Sequence, residues 1–268
     1  KNIEKFKKEG IYKSKKLNIR SFKVYGDGAL GSRGAVLKSP YCDDPHNYGI
    51  LRTSAKDLKF YAKEIAEMGF QMNTHAIGDS TVSVLLNEYK KVLKDIDDPR
   101  WRIEHSQVVD INEFELYNDK ILPSIQPTHA TSDMYWAYDR LGSRIKGAYA
   151  FKDLLRSSSR VALGTDFPVE KVNPFHTFYS SVERKDLNGY PENGFQMENS
   201  LSREETLKGM TIWGAYFNFE EHEKGSLEIG KSADFVVLNQ NIMEVEADLI
   251  PNTEVIQTYI DGELVYSK

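Results

Sequence analysis

Two histidines and one aspartate carry the strongest chemical signal in this chain. His75 lies in Asn73-Thr74-His75-Ala76-Ile77-Gly78-Asp79, and His105 in Arg102-Ile103-Glu104-His105-Ser106-Gln107. Asp166 closes Val161-Ala162-Leu163-Gly164-Thr165-Asp166, before Phe167-Pro168-Val169. Asp166 follows four small or apolar residues that read as a short buried strand, and the two histidines stand at two other strand ends. Gly164 permits close approach of the backbone, and Pro168 stops the strand. Imidazole and carboxylate ligands suit borderline divalent ions such as zinc, nickel or iron. Separate parallel strand ends can converge such ligands without straining a loop. Each residue alone also has a plainer reading, as a hydrogen-bonded turn histidine or, for Asp166, a cap after Thr165. Three together, in order, at three strand ends favour a metal.

Other side chains extend this set. Lys23 ends the strand before the His75 unit. A free ammonium repels a dication, so Lys23 ligates only if CO2 carbamylates it, and a lysine paired with Asp27 is the competing reading. His129, in Ser124-Ile125-Gln126-Pro127-Thr128-His129-Ala130-Thr131-Ser132-Asp133, follows a strand and faces the same mouth as a substrate contact or proton shuttle. Arg33, Tyr135, Trp136 and Phe167 are candidates to line a pocket. His46, His176 and His222 have no partner pattern. The glycine-rich loop at 26–34 lacks the Lys-Ser ending of a phosphate-binding P-loop.

The elements that must position these residues alternate. Residues 1–16 suggest a partial helix with Ile3, Phe6 and Ile11 apolar, and Ile19 to Tyr25 a strand with Ile19, Ser21, Lys23 and Tyr25 on one face. Ser54 caps a helix carrying Leu58, Tyr61, Ile65 and Met68 and ending at Gly69. A strand from Phe70 leads to His75, Asp79 or Ser80 caps the next helix, and Trp101 to Glu104 leads to His105. A short helix near 112–119, a strand from Ile121 to Gln126 and a long aromatic loop from Pro127 to about Arg144 follow. A helix at 149–157 precedes the Asp166 strand, with helices at 174–184 and from 203, the latter begun by a Ser202/Glu205 capping box. Alternating strands and helices imply a parallel sheet with right-handed crossovers. The last 45 residues instead read as a small β module, with Asp261-Gly262 as a hairpin turn.

Composition narrows the class. The 268 residues carry a net charge of −5, with 40% apolar and 12% aromatic residues. No basic stripe suggests nucleic acid or an anionic membrane surface. No apolar run approaches the ~18 residues of a membrane span. Cys42 is the single cysteine, which excludes an intrachain disulfide and fits a reducing compartment, hence a cytoplasmic expectation.

The segments KVYGDGALGSRGA, NTHAIGD, RIEHSQ, SIQPTHATSDM, ALGTDFPVE and KGSLEIGKSADFVVL resemble the amidohydrolase superfamily, in particular the branch that includes N-substituted formamide deformylases. The resemblance runs from about residue 20 to the C-terminus. It implies a (β/α)8 TIM-barrel-type metal-dependent hydrolase with a small β-sandwich built from both chain ends. It also implies a metal-activated water that attacks an amide or related carbonyl carbon. His75 and His105 would then be ligands from the fifth and sixth strands, and Lys23 the bridging lysine of the fourth. Asp166 would be the eighth-strand ligand that moves the water proton to the leaving nitrogen. The implied cofactor is a divalent metal, zinc foremost, one or two per full-length chain. The implied partner is a small amide-type substrate, contacted by Arg33, His129 and Trp136.

Strand ends near Lys23, His75, His105, Gln126 and Asp166 make five of the eight a closed barrel needs. The strand-one His-x-His pair of the family is absent, and the chain does not begin with methionine. The expectation is therefore an incomplete barrel of strands 4–8 over 1–222, catalytic, followed by part of the β-sandwich over 223–268. Such a truncated chain is expected to bind metal weakly or not at all and to oligomerise through its open sheet edges. The alternatives are a non-catalytic binding module of the same fold and a mononuclear deaminase of the same superfamily.

Overall fold

The structure, a computed structural model, describes residues 2–268. In chain order the elements are α1 (Asn2–Glu9), β1 (Tyr12–Lys13), β2 (Asn18–Ile19), β3 (Ser21–Tyr25), α2 (Ala55–Glu67), β4 (Gln71–Ala76), α3 (Asp79–Val92), β5 (Trp101–His105) and β6 (Ile121–Ile125). They continue with α4 (Pro127–Asp133), α5 (Ala137–Leu141), α6 (Phe151–Ser158), β7 (Ala162–Leu163), α7 (Pro174–Glu183), α8 (Arg203–Met210), α9 (Ile212–Phe217), β8 (Phe235–Leu238), β9 (Val255–Ile260) and β10 (Glu263–Ser267). Two compact units result, one of residues 1–124 and 136–159, the other of 125–135 and 160–268.

In the first unit β3, β4, β5 and β6 run parallel in sequence order, each strand joined to the next. The register sets Lys23 beside Asn73 and Tyr25 beside His75, then His75 beside Glu104 and Ala76 beside His105. Alternation divides the strands into two faces. On the helix side, Thr74 Oγ1 shares a 2.6 Å hydrogen bond with Tyr89 OH of α3. There the Tyr89 and Trp101 rings meet edge to face at 4.8 Å, and Trp101 Nε1 donates to the Phe70 carbonyl. Leu58, Ile65, Met72, Val82, Leu86 and Ile103 complete this buried layer, the apolar burial that holds the sheet to its helices.

The expected strand over Ile19–Tyr25 is divided. Asn18–Ile19 pairs antiparallel with Tyr12–Lys13, and only Ser21–Tyr25 joins the parallel sheet. The partner of the amphipathic N-terminal segment is aromatic: Phe6 of α1 lies 5.9 Å from Phe22 and 6.2 Å from Phe70, ring to ring. Lys1 falls outside the described residues. Ser54 caps α2 by accepting from Asp57 N at 3.1 Å, and Gly69 takes a φ of 70° beyond the helix end. Neither Asp79 nor Ser80 is the cap of α3. Gly78 holds that position, and the Asp79 carboxylate instead accepts the Lys38 N–H at 2.8 Å. The expected helix near 112–119 shrinks to a 3-10 turn at Phe114–Leu116.

The stretch expected as a long loop from Pro127 is largely helical. Pro127 sits at the first position of α4, where its fixed φ favours a helix and its missing N–H costs nothing. A 3-10 turn over Gly142–Gly147 follows α5.

In the second unit, Gly164 N–H donates to Ile125 O at 3.0 Å, tying the end of β7 to the last residue of β6. The strand is shorter than expected, so Asp166 lies three residues beyond Leu163 rather than at its end. Ser202 and Glu205 form the anticipated reciprocal capping box of α8. Phe175, Phe178 and Tyr179 of α7 bury themselves against Ile242 and Ile250, with Leu238 and Val255 packed alongside. β8, β9 and β10 make the expected antiparallel tail, turned at Asp261 (φ 56°) and Gly262 (φ 81°).

Candidate functional site

In the first unit the structure brings His75 and His105 together. Their ring centroids lie 4.5 Å apart at 72°. Strand alternation alone would not do this, because the register sets His105 on the same side as Ala76 and Ile103, opposite His75. His105 escapes that face through its backbone: its φ is 75°, and Ser106 follows at 44°. A histidine in the left-handed region costs of order 1 kcal/mol or more, and such strain concentrates where function needs a side chain re-aimed.

Behind His75 stands Asp27, which sequence reading treated only as a partner for Lys23. It is 1% exposed. Oδ1 accepts from Ile77 N at 3.0 Å, while Oδ2 accepts from Val36 N and Gly78 N at 2.9 Å each. Oδ1 also lies 3.7 Å from His75 Nε2, an electrostatic contact rather than a direct hydrogen bond. Burial pushes the Asp27 carboxyl up, against the pull of these backbone donors. Its only sequence signal was a carboxylate between two glycines in Gly26-Asp27-Gly28.

Lys23 projects from the same face of β3 as Tyr25, with Nζ 5.3 Å from the Tyr25 ring centroid, and that ring lies 5.6 Å from His75. Beside His75 on β5, Glu104 accepts from Arg102 Nε at 2.9 Å. Arg33 and Trp136 enter one network. Arg33 grips Asp43 with two hydrogen bonds of 3.1 and 2.9 Å, Arg140 donates to the same carboxylate, and Arg140 stands 5.5 Å over the Trp136 ring. The Trp136 ring in turn packs against Gly31 of the glycine-rich loop, where a side chain would have little room.

In the second unit, His129 of α4 meets Asp166. Nε2 lies 3.3 Å from Asp166 Oδ2, and Nδ1 lies 3.1 Å from Glu170 Oε1. Ser132, one helical turn after His129, donates to the same Glu170 oxygen at 2.6 Å. Asp166, like His105, takes a left-handed backbone, with φ 57°. Burial opposes charge on the imidazole, but the hydrogen bonds to Asp166 and Glu170 outweigh it and push His129 up to about 9. Burial likewise works against the Glu170 carboxylate, and His129 and Ser132 hold it below the usual range. Glu170 carries no sequence signal beyond its place four residues after Asp166. Tyr135 donates to Asp186 and stacks on Tyr190 at 5.6 Å, and Phe167 is exposed.

The donors fit a divalent cation. Two imidazoles stand side by side in the first unit, and a buried carboxylate behind one of them matches the outer-shell partner that orients a ligating histidine. In the second, a carboxylate is held beside an imidazole that can carry a proton.

A parallel sheet with histidines at its carboxyl strand ends has the layout of an α/β-barrel site, and the family comparison agrees. The profile of the Amidohydrolase family matches residues 1–266, and the chain belongs to that family. It is 32% identical over 263 residues to Protein LONG AFTER FAR-RED 3 of Arabidopsis thaliana, covering 96% of this chain and 45% of that protein. Against the putative amidohydrolase YtcJ of Bacillus subtilis it is 32% identical over 252 residues, covering 92% of this chain and 47% of the relative. An N-substituted formamide deformylase of Arthrobacter pascens is 21% identical over 257 residues, with 88% and 46% covered. An uncharacterised metal-dependent hydrolase from Pyrococcus horikoshii superposes with a TM-score of 0.79 at 27% identity, over 92% of this chain and 50% of that one. The chain thus spans about half the length of the curated relatives it matches. Its α/β fold, with a parallel sheet at the site, is that of amidohydrolase-fold metal-dependent hydrolases. Among the described residues no helix is long and apolar enough to cross a membrane.

Proposed function

We propose that this chain contributes the metal-binding and proton-handling residues of a hydrolase that cleaves carbon–nitrogen bonds in small, non-peptide amides or formamide-like substrates. Lys23 as its carbamate, His75, His105 and Asp166 are its metal ligands, residues 1–222 its catalytic part and 223–268 the β module. The observation that carries the reading is the His75–His105 pair, assembled at adjacent strand ends by a strained backbone at His105. When bound, a divalent ion such as zinc supplies Lewis acidity, lowering the pKa of water from 15.7 toward about 7 and polarising the scissile carbonyl. Asp166 accepts the proton of the attacking water and returns it to the leaving nitrogen. His129 holds Asp166 through Nε2 and, carrying its proton already, can pass one on but not accept another. Arg33 and Trp136, linked through Asp43 and Arg140, contact the substrate.

The amide or formamide substrate class is supported by the deformylase relative and by the need of a leaving nitrogen for a proton. The exposed flank of β3, at one end of the sheet order, supports a homo-oligomer, which light scattering on the purified chain tests. Zinc titration of the chain followed by calorimetry, with hydrolysis of a simple N-substituted formamide measured in parallel, tests the function. Zinc binding weakened at least tenfold in His75→Asn with His105→Asn is the expected result. Equal zinc affinity in wild type and the double variant rejects the assignment.

A further inference from the structure

We propose that Glu170 is a positioning residue that fixes the ring of His129, so that Nε2 and not Nδ1 is presented to Asp166. The functional meaning rests on the hydrolase reading above; the geometry stands by itself. An imidazole has two inequivalent nitrogens, and the hydrogen bond made by one decides what the other can do. Here Nδ1 is committed to Glu170 Oε1 at 3.1 Å, leaving Nε2 at 3.3 Å from Asp166 Oδ2. A ring flip would set Cδ2 and Cε1 where Nδ1 and Nε2 now stand and break both contacts.

Glu170 is itself held. Ser132 Oγ donates to the same Oε1 at 2.6 Å, so a residue one turn along α4 fixes the carboxylate that fixes the imidazole of the same helix. The glutamate side chain is 20% exposed and that of His129 only 11%, which shields the contact from competing water. α4 is braced in turn by Thr131 Oγ1, 3.1 Å from Ser180 Oγ of α7. The arrangement has the form of an outer-shell carboxylate orienting a working histidine, supplied from four positions beyond Asp166.

Proton–nitrogen correlation spectroscopy of the full chain, labelled on histidine, tests this. The chain has six histidines, so the spectrum is sparse, and His129→Asn identifies the relevant signal. The wild type is expected to show a protected Nδ1–H on His129. Glu170→Ala should abolish that signal while the remaining histidines keep theirs, and Glu170→Gln, which retains an oxygen acceptor, should restore it. An unchanged Nδ1–H in Glu170→Ala overturns the proposal. Should Glu170→Ala fail to fold, Ser132→Ala decides: loss of the hydroxyl should speed exchange of the Nδ1–H severalfold, and unchanged exchange overturns the proposal equally. The measurement needs neither substrate nor ion, so its failure is separable from failure of the zinc titration.

Discussion

The carboxylate of Asp27 accepts the backbone N–H of Gly78 at 2.9 Å, fastening the loop after β3 to the loop after β4. The same side chain serves Val36 and Ile77, so three peptide groups from two loops depend on one buried anion. His75 projects into this junction, 3.7 Å from Oδ1. A hydrogen bond to a charged group contributes about 1.5–3 kcal/mol, and a buried donor left unmet costs about 1–3. Asp27→Ala should therefore destabilise the chain by about 3–5 kcal/mol, and Asp27→Asn, which keeps one acceptor, by roughly half as much. Urea denaturation at constant slope reads both; a loss below about 0.5 kcal/mol for Asp27→Ala would show that water replaces the carboxylate.

A second buried polar pair offers a cleaner dissection. Thr74 Oγ1 and Tyr89 OH lie 2.6 Å apart between β4 and α3, both residues fully enclosed. Burial pushes the Tyr89 phenol up, so it stays neutral across the accessible range. Removing either hydroxyl alone orphans the other. Tyr89→Phe and Thr74→Val should each cost about 1–2 kcal/mol, while the double variant should cost less than their sum by about 1 kcal/mol. Strict additivity in a double-mutant cycle would mean that the two hydroxyls do not couple.

Lys38 predicts a pH dependence. Its ammonium lies 2.9 Å from Asp110 and 3.0 Å from Glu113. The hydrogen bond from Lys38, helped by the Asn112 backbone, holds the Asp110 carboxyl below the usual range. A carboxyl lowered on folding adds stability above its unfolded pKa of about 3.9 and loses it as pH falls through the folded value. The groups are about a third exposed, so screening limits the effect: Lys38→Met should cost about 0.5–1 kcal/mol at pH 7 and almost nothing near pH 2. A cost independent of pH would assign it to lost packing of the lysine stem.

The elements that proved legible were those with strong local signals. Ser54, the Ser202/Glu205 box and Asp261-Gly262 state their own geometry through side-chain and backbone chemistry. The carboxyl-end placement of His75 and His105 followed from the alternation of strand and helix around each. What stayed hidden was set at long range or by the backbone. Asp27 gains its role from N–H groups some 50 residues away, which no local pattern records. The helix at Pro127 was masked by threonines and a histidine that are poor helix formers until burial decides. The left-handed turns at His105 and Asp166 have no glycine to announce them.

Those turns allow stability to be separated from metal binding. At φ 75° the His105 backbone disfavours most side chains, but asparagine tolerates the left-handed region well. His105→Asn should therefore leave the metal-free stability within about 1 kcal/mol of wild type, the relief of strain offsetting the lost contact with His75. Zinc should act differently on the two. A ligand that binds only the folded state stabilises by RT ln(1 + [L]/Kd), about 2.7 kcal/mol at a hundredfold excess over Kd. Melting with zinc and again with a chelator should raise and then restore the wild-type midpoint, and leave His105→Asn nearly unmoved. If the variant gains as much from zinc as the wild type, the ion binds elsewhere and the strain at His105 serves another purpose. If neither gains, the half-length chain holds no ion alone, and the same pair of melts belongs to a chain of the relatives' full length.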